Sequence, residues 1–152
     1  MTPAPPVVVD TSVAVKWFFD ESHSDQAVRL LDAFKQGTFR PLAPDLIYPE
    51  FANAVWKRIG PDRLSAEVGA AVLTTFLALP LEITPSPILL LPAYDLALKH
   101  RQSIYDALFL ALSFEAGAEL VTADESLYRG VHPEFPRLRW LGNWPSSPDT
   151  PR

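Results

Sequence analysis

The sequence predicts an α/β domain with a mainly parallel sheet of about five short strands. Three observations predict it. Short apolar runs, led by the β-branched Val7-Val8-Val9, alternate with longer stretches whose apolar residues recur at helical spacing. Prolines, 16 in all, fall mainly between these stretches and punctuate them. A chain of 152 residues, 48% hydrophobic and 20% charged, is one domain by size and can bury ~68–70% of its unfolded surface.

Val7-Val8-Val9 is a continuous apolar strand of the kind buried on both faces of a parallel sheet, and Asp10 ends it. Thr11 to Phe19 is mostly apolar and helix-compatible. Ser24 to Lys35 carries Ala27, Leu30, Leu31 and Phe34 at helical spacing and stops before Gly37. Residues 39 to 43 form a short strand. Asp45 then caps a helix with Ile47, Phe51, Ala54, Val55 and Ile59 on its apolar face and Pro49 in its first turn. Ser65 to Leu79 is a further helix and Leu81 to Thr84 a strand. Ser86-Pro87 reads as cap and first position of an amphipathic helix reaching about Arg101. Ser103 caps the next helix, which ends at Gly117. Glu119 to Thr122 and Leu138 to Leu141 are the remaining strands. The expected organisation is a flexible N-terminus over residues 1–6, the domain over 7–142, and a disordered tail over 143–152.

Several classes of function are excluded. Without cysteine there is no disulfide scaffold, no thiolate zinc site and no thiol catalysis, so chemistry must run on carboxylates, hydroxyls or histidines. The longest uncharged apolar stretch, Val68 to Leu81, is broken by Pro80 and falls short of the ~18 residues of a membrane span. No basic leader precedes Val7, and a cytoplasmic location is expected. A net charge of −5 gives no global pull toward a polyanion, so any nucleic-acid contact rests on local cations: Lys16, Lys57, Arg58, Lys99 and Arg101.

Ligand sites of open α/β sheets lie beyond the carboxyl ends of the strands, where Asp10 and Asp124 stand. Each can equally cap a following helix. Glu50 shares a polar helix face with Asn53 and Lys57, a pattern that also suits a solvated face. Asp106 opens the helix Ile-Tyr-Asp-Ala-Leu-Phe-Leu-Ala-Leu-Ser-Phe-Glu-Ala, apolar nearly all round, where a carboxylate needs a partner. Ser103 offers one through a capping-box spacing, though aspartate is short for that role. Two charges about 5 Å apart repel by roughly 3 kcal/mol at an effective dielectric of about 20, so four carboxylates meeting at one sheet edge demand protons or cations. Magnesium and manganese accept all-oxygen ligand sets and suit phosphate chemistry. The three histidines, His23, His100 and His132, lack ligand-like spacing and are expected at the surface; Trp17 and Phe18 are the aromatics nearest Asp10.

Four segments in this order, Val-Val-Val-Asp10-Thr-Ser, Pro44-Asp-Leu-Ile-Tyr-Pro-Glu50-Phe-Ala-Asn53-Ala, Ser103-Ile-Tyr-Asp106-Ala-Leu-Phe-Leu-Ala-Leu and Leu120-Val-Thr-Ala-Asp124-Glu-Ser-Leu, resemble a PIN domain, and in particular the VapC-type toxin ribonucleases. The resemblance runs from about Val7 to Leu141. It implies helices on both faces of the sheet and a catalytic metal site of Asp10, Glu50, Asp106 and Asp124 holding Mg2+ or Mn2+. It implies hydrolysis of RNA phosphodiesters by metal-activated water, leaving 5′-phosphates. Ser12 and Thr122 match supporting hydroxyls and Asn53 a polar neighbour of the glutamate, while Lys57 is a candidate RNA phosphate contact. The implied partners are RNA, a VapB-type antitoxin and a second copy in a homodimer. Other readings are a stand-alone RNA-processing nuclease of the same family and a non-catalytic binding module on the same fold. An aspartyl phosphatase is disfavoured because Asp10-Thr11-Ser12 lacks the second carboxylate of Asp-x-Asp-x-Thr.

Overall fold

The computed structural model describes residues 2–145. The apolar runs form five strands, β1 Pro6–Val9, β2 Arg40–Pro44, β3 Glu82–Thr84, β4 Glu119–Thr122 and β5 Leu138–Trp140. They pair in the order β3-β2-β1-β4-β5, every pairing parallel. Val7, Val8, Val9, Leu120 and Val121 at the centre of the sheet are buried, as a strand covered on both faces requires. The order reverses at β1. Right-handed crossovers therefore place the connections leading to β2 and β3 on one face and those leading to β4 and β5 on the other. That reversal puts a switch point between the carboxyl ends of β1 and β4.

Seven α-helices occur among the described residues: α1 Thr11–Ala14, α2 Ser24–Lys35, α3 Ile47–Trp56, α4 Ala66–Leu77, α5 Ser86–His100, α6 Ile104–Ala116 and α7 Glu125–Val131. The core centres on α6, whose residues Ala107 to Ser113 are all buried, so the helix that is apolar all round is the interior one. Ser103 caps it by accepting the Asp106 amide at 3.1 Å, and Gly117 ends it with φ +62°, a left-handed position that glycine adopts without steric cost. Phe51 and Phe76 stack at 3.8 Å and join α3 to α4. Among the described residues no helix is long and apolar enough to cross a membrane.

The structure corrects several expectations. The helix expected over residues 11–19 is one α-turn followed by a 3-10 turn, Val15–Trp17. Leu46, not Asp45, stands at the cap position of α3; the Asp45 carboxylate accepts the Ser86 hydroxyl instead, tying the ends of β2 and β3 together. Pro85 rather than Ser86 is the cap of α5. The helix that Asp124 was expected to be able to cap is present as α7, with Asp124 as its cap. His100 is buried, with its Nδ1 3.5 Å from Glu134 and its ring edge-on to Phe135; His132 is half-buried against Tyr128, and His23 is exposed. At the N-terminus, Ala4 and Pro5 carbonyls accept hydrogen bonds from Arg40. Trp144, assigned to the tail by sequence, is buried edge-on to Phe39, while residues 146–152 of that tail lie outside the described residues.

Candidate active site

Asp10 leaves β1 at the switch point. It occupies the cap position of α1 but makes no side-chain cap. Its Oδ2 instead accepts the hydroxyls of Ser12 at 2.6 Å and Thr122 at 2.8 Å. Ser12 Oγ also accepts the Ala123 amide at 2.9 Å, and Thr122 Oγ1 accepts the Asp124 amide at 3.0 Å. These bonds bind the carboxyl ends of β1 and β4 into one unit. They fix one oxygen of Asp10, and the residue lines an open cleft. Thr122 is fully buried and Asp10 6% exposed, so the hydroxyls supply hydrogen bonds that water cannot.

The other carboxylates arrive from helices. Glu50 lies one turn into α3 and accepts Thr11 Oγ1 at 2.8 Å. Asp106 lies in the first turn of α6, and Asp124 caps α7 by accepting the Leu127 amide on Oδ1 at 3.1 Å. Asp10, Glu50, Asp106 and Asp124 line one open cleft of about 350 Å³ together with Thr11, Ser12, Asn53, Ala54, Lys57 and Arg58. Of the residues assigned to the site from the sequence, Asp10, Ser12, Glu50, Asn53, Lys57, Asp106, Asp124 and Thr122, only the buried Thr122 is not on the cleft wall.

Electrostatics register this convergence. Burial pushes the Asp10 carboxyl up to about 6; the Ser12 and Thr122 hydroxyls act against that rise, and the charges of Asp106 and Glu50 add to it. Glu50 is raised by burial, against the Thr11 hydrogen bond, and further by Asp106. Asp106 is raised by burial and then by Asp124. Each raised group is a carboxylate destabilised by apolar surroundings and by a neighbour of like charge, the condition that a bound cation relieves.

The carboxylates stop short of a closed cage. Among the described residues, no three histidine, aspartate or glutamate side chains converge tightly enough to enclose an ion. Hydrogen bonds to Asp10, Glu50 and Asp124 each engage one carboxylate oxygen. An open all-oxygen set of this kind fits magnesium, which keeps several waters and takes one or two carboxylates plus phosphate oxygens. It does not fit a metal that needs a complete protein ligand shell.

Two cations, Lys57 and Arg58, line the same cleft at the end of the helix that carries Glu50. Lys57 is exposed; Arg58 bonds the Ala54 carbonyl at 2.7 Å and Glu21 at 2.7 Å, and lies over the Phe19 ring at 4.8 Å. Lys16 reaches the same Glu21 at 3.9 Å without lining the cleft. Lys99 and Arg101 are absent from it. Trp17 donates to the Ala27 carbonyl and Phe18 packs edge-on to Phe51 and Phe76, so both serve the core. Sequence reasoning missed Thr11 and Glu21. The one signal for Thr11 is its place in the turn directly after a strand-end aspartate.

Known proteins share this architecture. The PIN domain family model matches residues 7–131. Ribonuclease VapC3 of Pyrobaculum aerophilum is 30% identical over 134 residues, covering 87% of this chain and 96% of that protein. Among solved structures, the Mycobacterium tuberculosis toxin VapC20, described as cleaving the sarcin-ricin loop, is similar with a TM-score of 0.63 at 16% identity, over 88% of this chain and 98% of that one. A toxin-antitoxin complex from Klebsiella pneumoniae gives 0.63 at 17%, over 87% and 94%. VapBC2 from Rickettsia felis, bound to a DNA fragment of its promoter, gives 0.58 at 17%, over 89% and 96%. At these identities the structures speak for the fold, and the family model and the VapC3 relative, each matched along most of the chain, make this protein a member of the PIN-domain family.

Proposed function

We propose that this protein is a metal-dependent endoribonuclease, the toxin of a VapBC-type toxin-antitoxin pair acting in the cytoplasm. The observation that carries the reading is the convergence of Asp10, Glu50, Asp106 and Asp124 on one cleft at the switch point of a PIN fold. These four would hold Mg2+ or Mn2+, which supplies a Lewis acid for the phosphoryl group and lowers the pKa of water. The protein's own contribution is positioning. Ser12 and Thr122 orient Asp10, Thr11 orients Glu50, and the Ser103 cap fixes the first turn of α6 that carries Asp106. Lys57 and Arg58, on the cleft lining seven and eight residues beyond Glu50, meet the phosphates of an RNA strand, and Asn53, on α3 between them and Glu50, adds a neutral donor.

The solved toxin-antitoxin neighbours support a VapB-type antitoxin as partner. A homodimer belongs to the same reading, because the outer face of α5 presents Ile88, Leu91 and Leu98 at 68%, 79% and 64% exposure, an apolar strip suited to burial between copies.

The test is cleavage of labelled single-stranded and structured RNA in magnesium or manganese, with EDTA and Asp106→Asn controls and mass analysis of the product ends. Metal-dependent cleavage leaving 5′-phosphates, lost in the variant, is expected. Cleavage that persists in EDTA or in Asp106→Asn would overturn the reading.

A further inference from the structure

Beside the carboxylate cleft, the same edge of the sheet carries an aromatic recess that the proposed chemistry leaves unused. Trp140 ends β5 and stands in register with Thr122, the residue whose hydroxyl holds Asp10. Tyr128 faces it from α7, one turn beyond Asp124, the cap of that helix. The two rings are 5.7 Å apart between centroids and inclined at 48°; with Glu125 and Arg129 they line an opening of about 240 Å³.

The rings are held from behind. His132 stacks on Tyr128 at 4.4 Å, and His23 meets Trp140 edge-on at 5.8 Å. The backbone of Gly142 lies against the indole so closely that a Cβ there would sit 2.5 Å from Trp140 Nε1 and 3.0 Å from His23 Cε1. The indole is thus held by two further contacts that do not line the recess, while Tyr128 and Trp140 remain only half-buried. Arg129, paired with Glu125 and 77% exposed at its side chain, puts a cation at the mouth.

Two rigid, non-parallel aromatic faces with a guanidinium at the entrance suit a planar heterocycle attached to a phosphate. Every base offers a π-face, and splayed single-stranded RNA presents bases to such surfaces. The recess and the cleft are carried by neighbouring positions: Asp124, on the cleft wall, caps the helix that bears Tyr128, and Trp140 pairs in register with Thr122. We propose that the aromatic surface of Tyr128 and Trp140 that lines this recess stacks an unpaired RNA base flanking the phosphate that enters the carboxylate cleft. This rests on the nuclease reading and extends it to how the substrate strand is held.

The experiment measures binding of short labelled single-stranded RNAs by fluorescence anisotropy in magnesium, using the Asp106→Asn chain so that the RNA survives. Onto it are placed Tyr128→Leu, Trp140→Leu and Trp140→Phe, each checked for an unchanged melting transition. The two leucine variants are expected to weaken binding about tenfold, and Trp140→Phe to restore most of it. An RNA lacking the base at the contacted position is expected to bind the Asp106→Asn chain about tenfold more weakly, with no further loss in the leucine variants. Equal binding by all aromatic variants, or an abasic penalty that adds fully to theirs, overturns the base site while leaving the nuclease reading intact. Absence of RNA binding by the Asp106→Asn chain itself overturns both.

Discussion

At the scale of single residues, Asp10 carries the largest cost. Its carboxyl is pushed up to about 6 because burial outweighs the two hydroxyl donors and because Asp106 and Glu50 add repulsion. The folded state therefore binds this proton more tightly than the unfolded chain does. The stability it contributes is fully present below about pH 4 and is lost as pH rises through about 6, a loss of up to about 3 kcal/mol. In EDTA, the melting temperature is expected to fall between pH 4 and pH 7. Asp10→Asn is expected to flatten that fall and to raise the melting temperature at pH 7 while abolishing cleavage. An Asp10→Asn protein that melts lower than the parent at pH 7 would count against this account. Asp10, Asp106 and Asp124 were legible in the sequence because each closes a strand or opens a helix, and Glu50 because it breaks the apolar pattern of its helix with a polar face. Thr11 and Glu21 were not, since their partners Glu50 and Arg58 lie 39 and 37 residues away, and no local spacing records such a bond. His100 was misjudged for the same reason: Glu134 and Phe135, which cover it, come from a distant segment.

At the scale of elements, strands and long helices were readable because apolar periodicity and burial coincide in them. The central β1 and β4 are continuous apolar runs, and α6 is apolar on every side because the sheet and α5 enclose it. The extents of the short elements were not readable, although a cap at Asp124 was. α7 has seven residues and contains Gly130, so its two buried positions, Leu127 and Val131, make too brief a pattern. The 3-10 turn after α1 likewise differs from a helix only in the turn's tightness. The capping reading of Asp124 holds, and the proposed metal role is compatible with it, because one oxygen caps α7 while the residue lines the cleft. Substitution separates them. Asp124→Asn keeps a good cap and is expected to hold stability within about 0.5 kcal/mol while losing cleavage, whereas Asp124→Ala is expected to lose about 1 kcal/mol as well. Urea denaturation beside the cleavage assay checks both, and full activity in Asp124→Asn would reduce Asp124 to a cap.

At the scale of the whole molecule, two free energies link the fold to its partners. The first is the apolar strip of α5. If it is buried between copies, Leu91→Asp is expected to convert a dimer to a folded monomer in sedimentation, since a charge at a 79% exposed position costs the monomer almost nothing. A dimer unaffected by that change would place the interface elsewhere. The second is the coupling of metal to stability. Four carboxylates gathered at one cleft, three of them raised by burial and mutual repulsion, make the ion-free protein less stable than its core alone would dictate. An ion that binds only the folded state removes the repulsion and adds its own binding free energy, ~2.7 kcal/mol at a hundredfold excess over Kd. For a domain of this size, each kcal/mol moves the melting temperature by roughly 2–4 °C, so saturating magnesium or manganese is expected to raise it by roughly 5–10 °C over EDTA. The same addition to Asp106→Asn is expected to raise it less, because one ligand and one repulsive charge are gone together. Coincident melting curves with and without the ions would show that these carboxylates bind none, and the nuclease reading would fall with them.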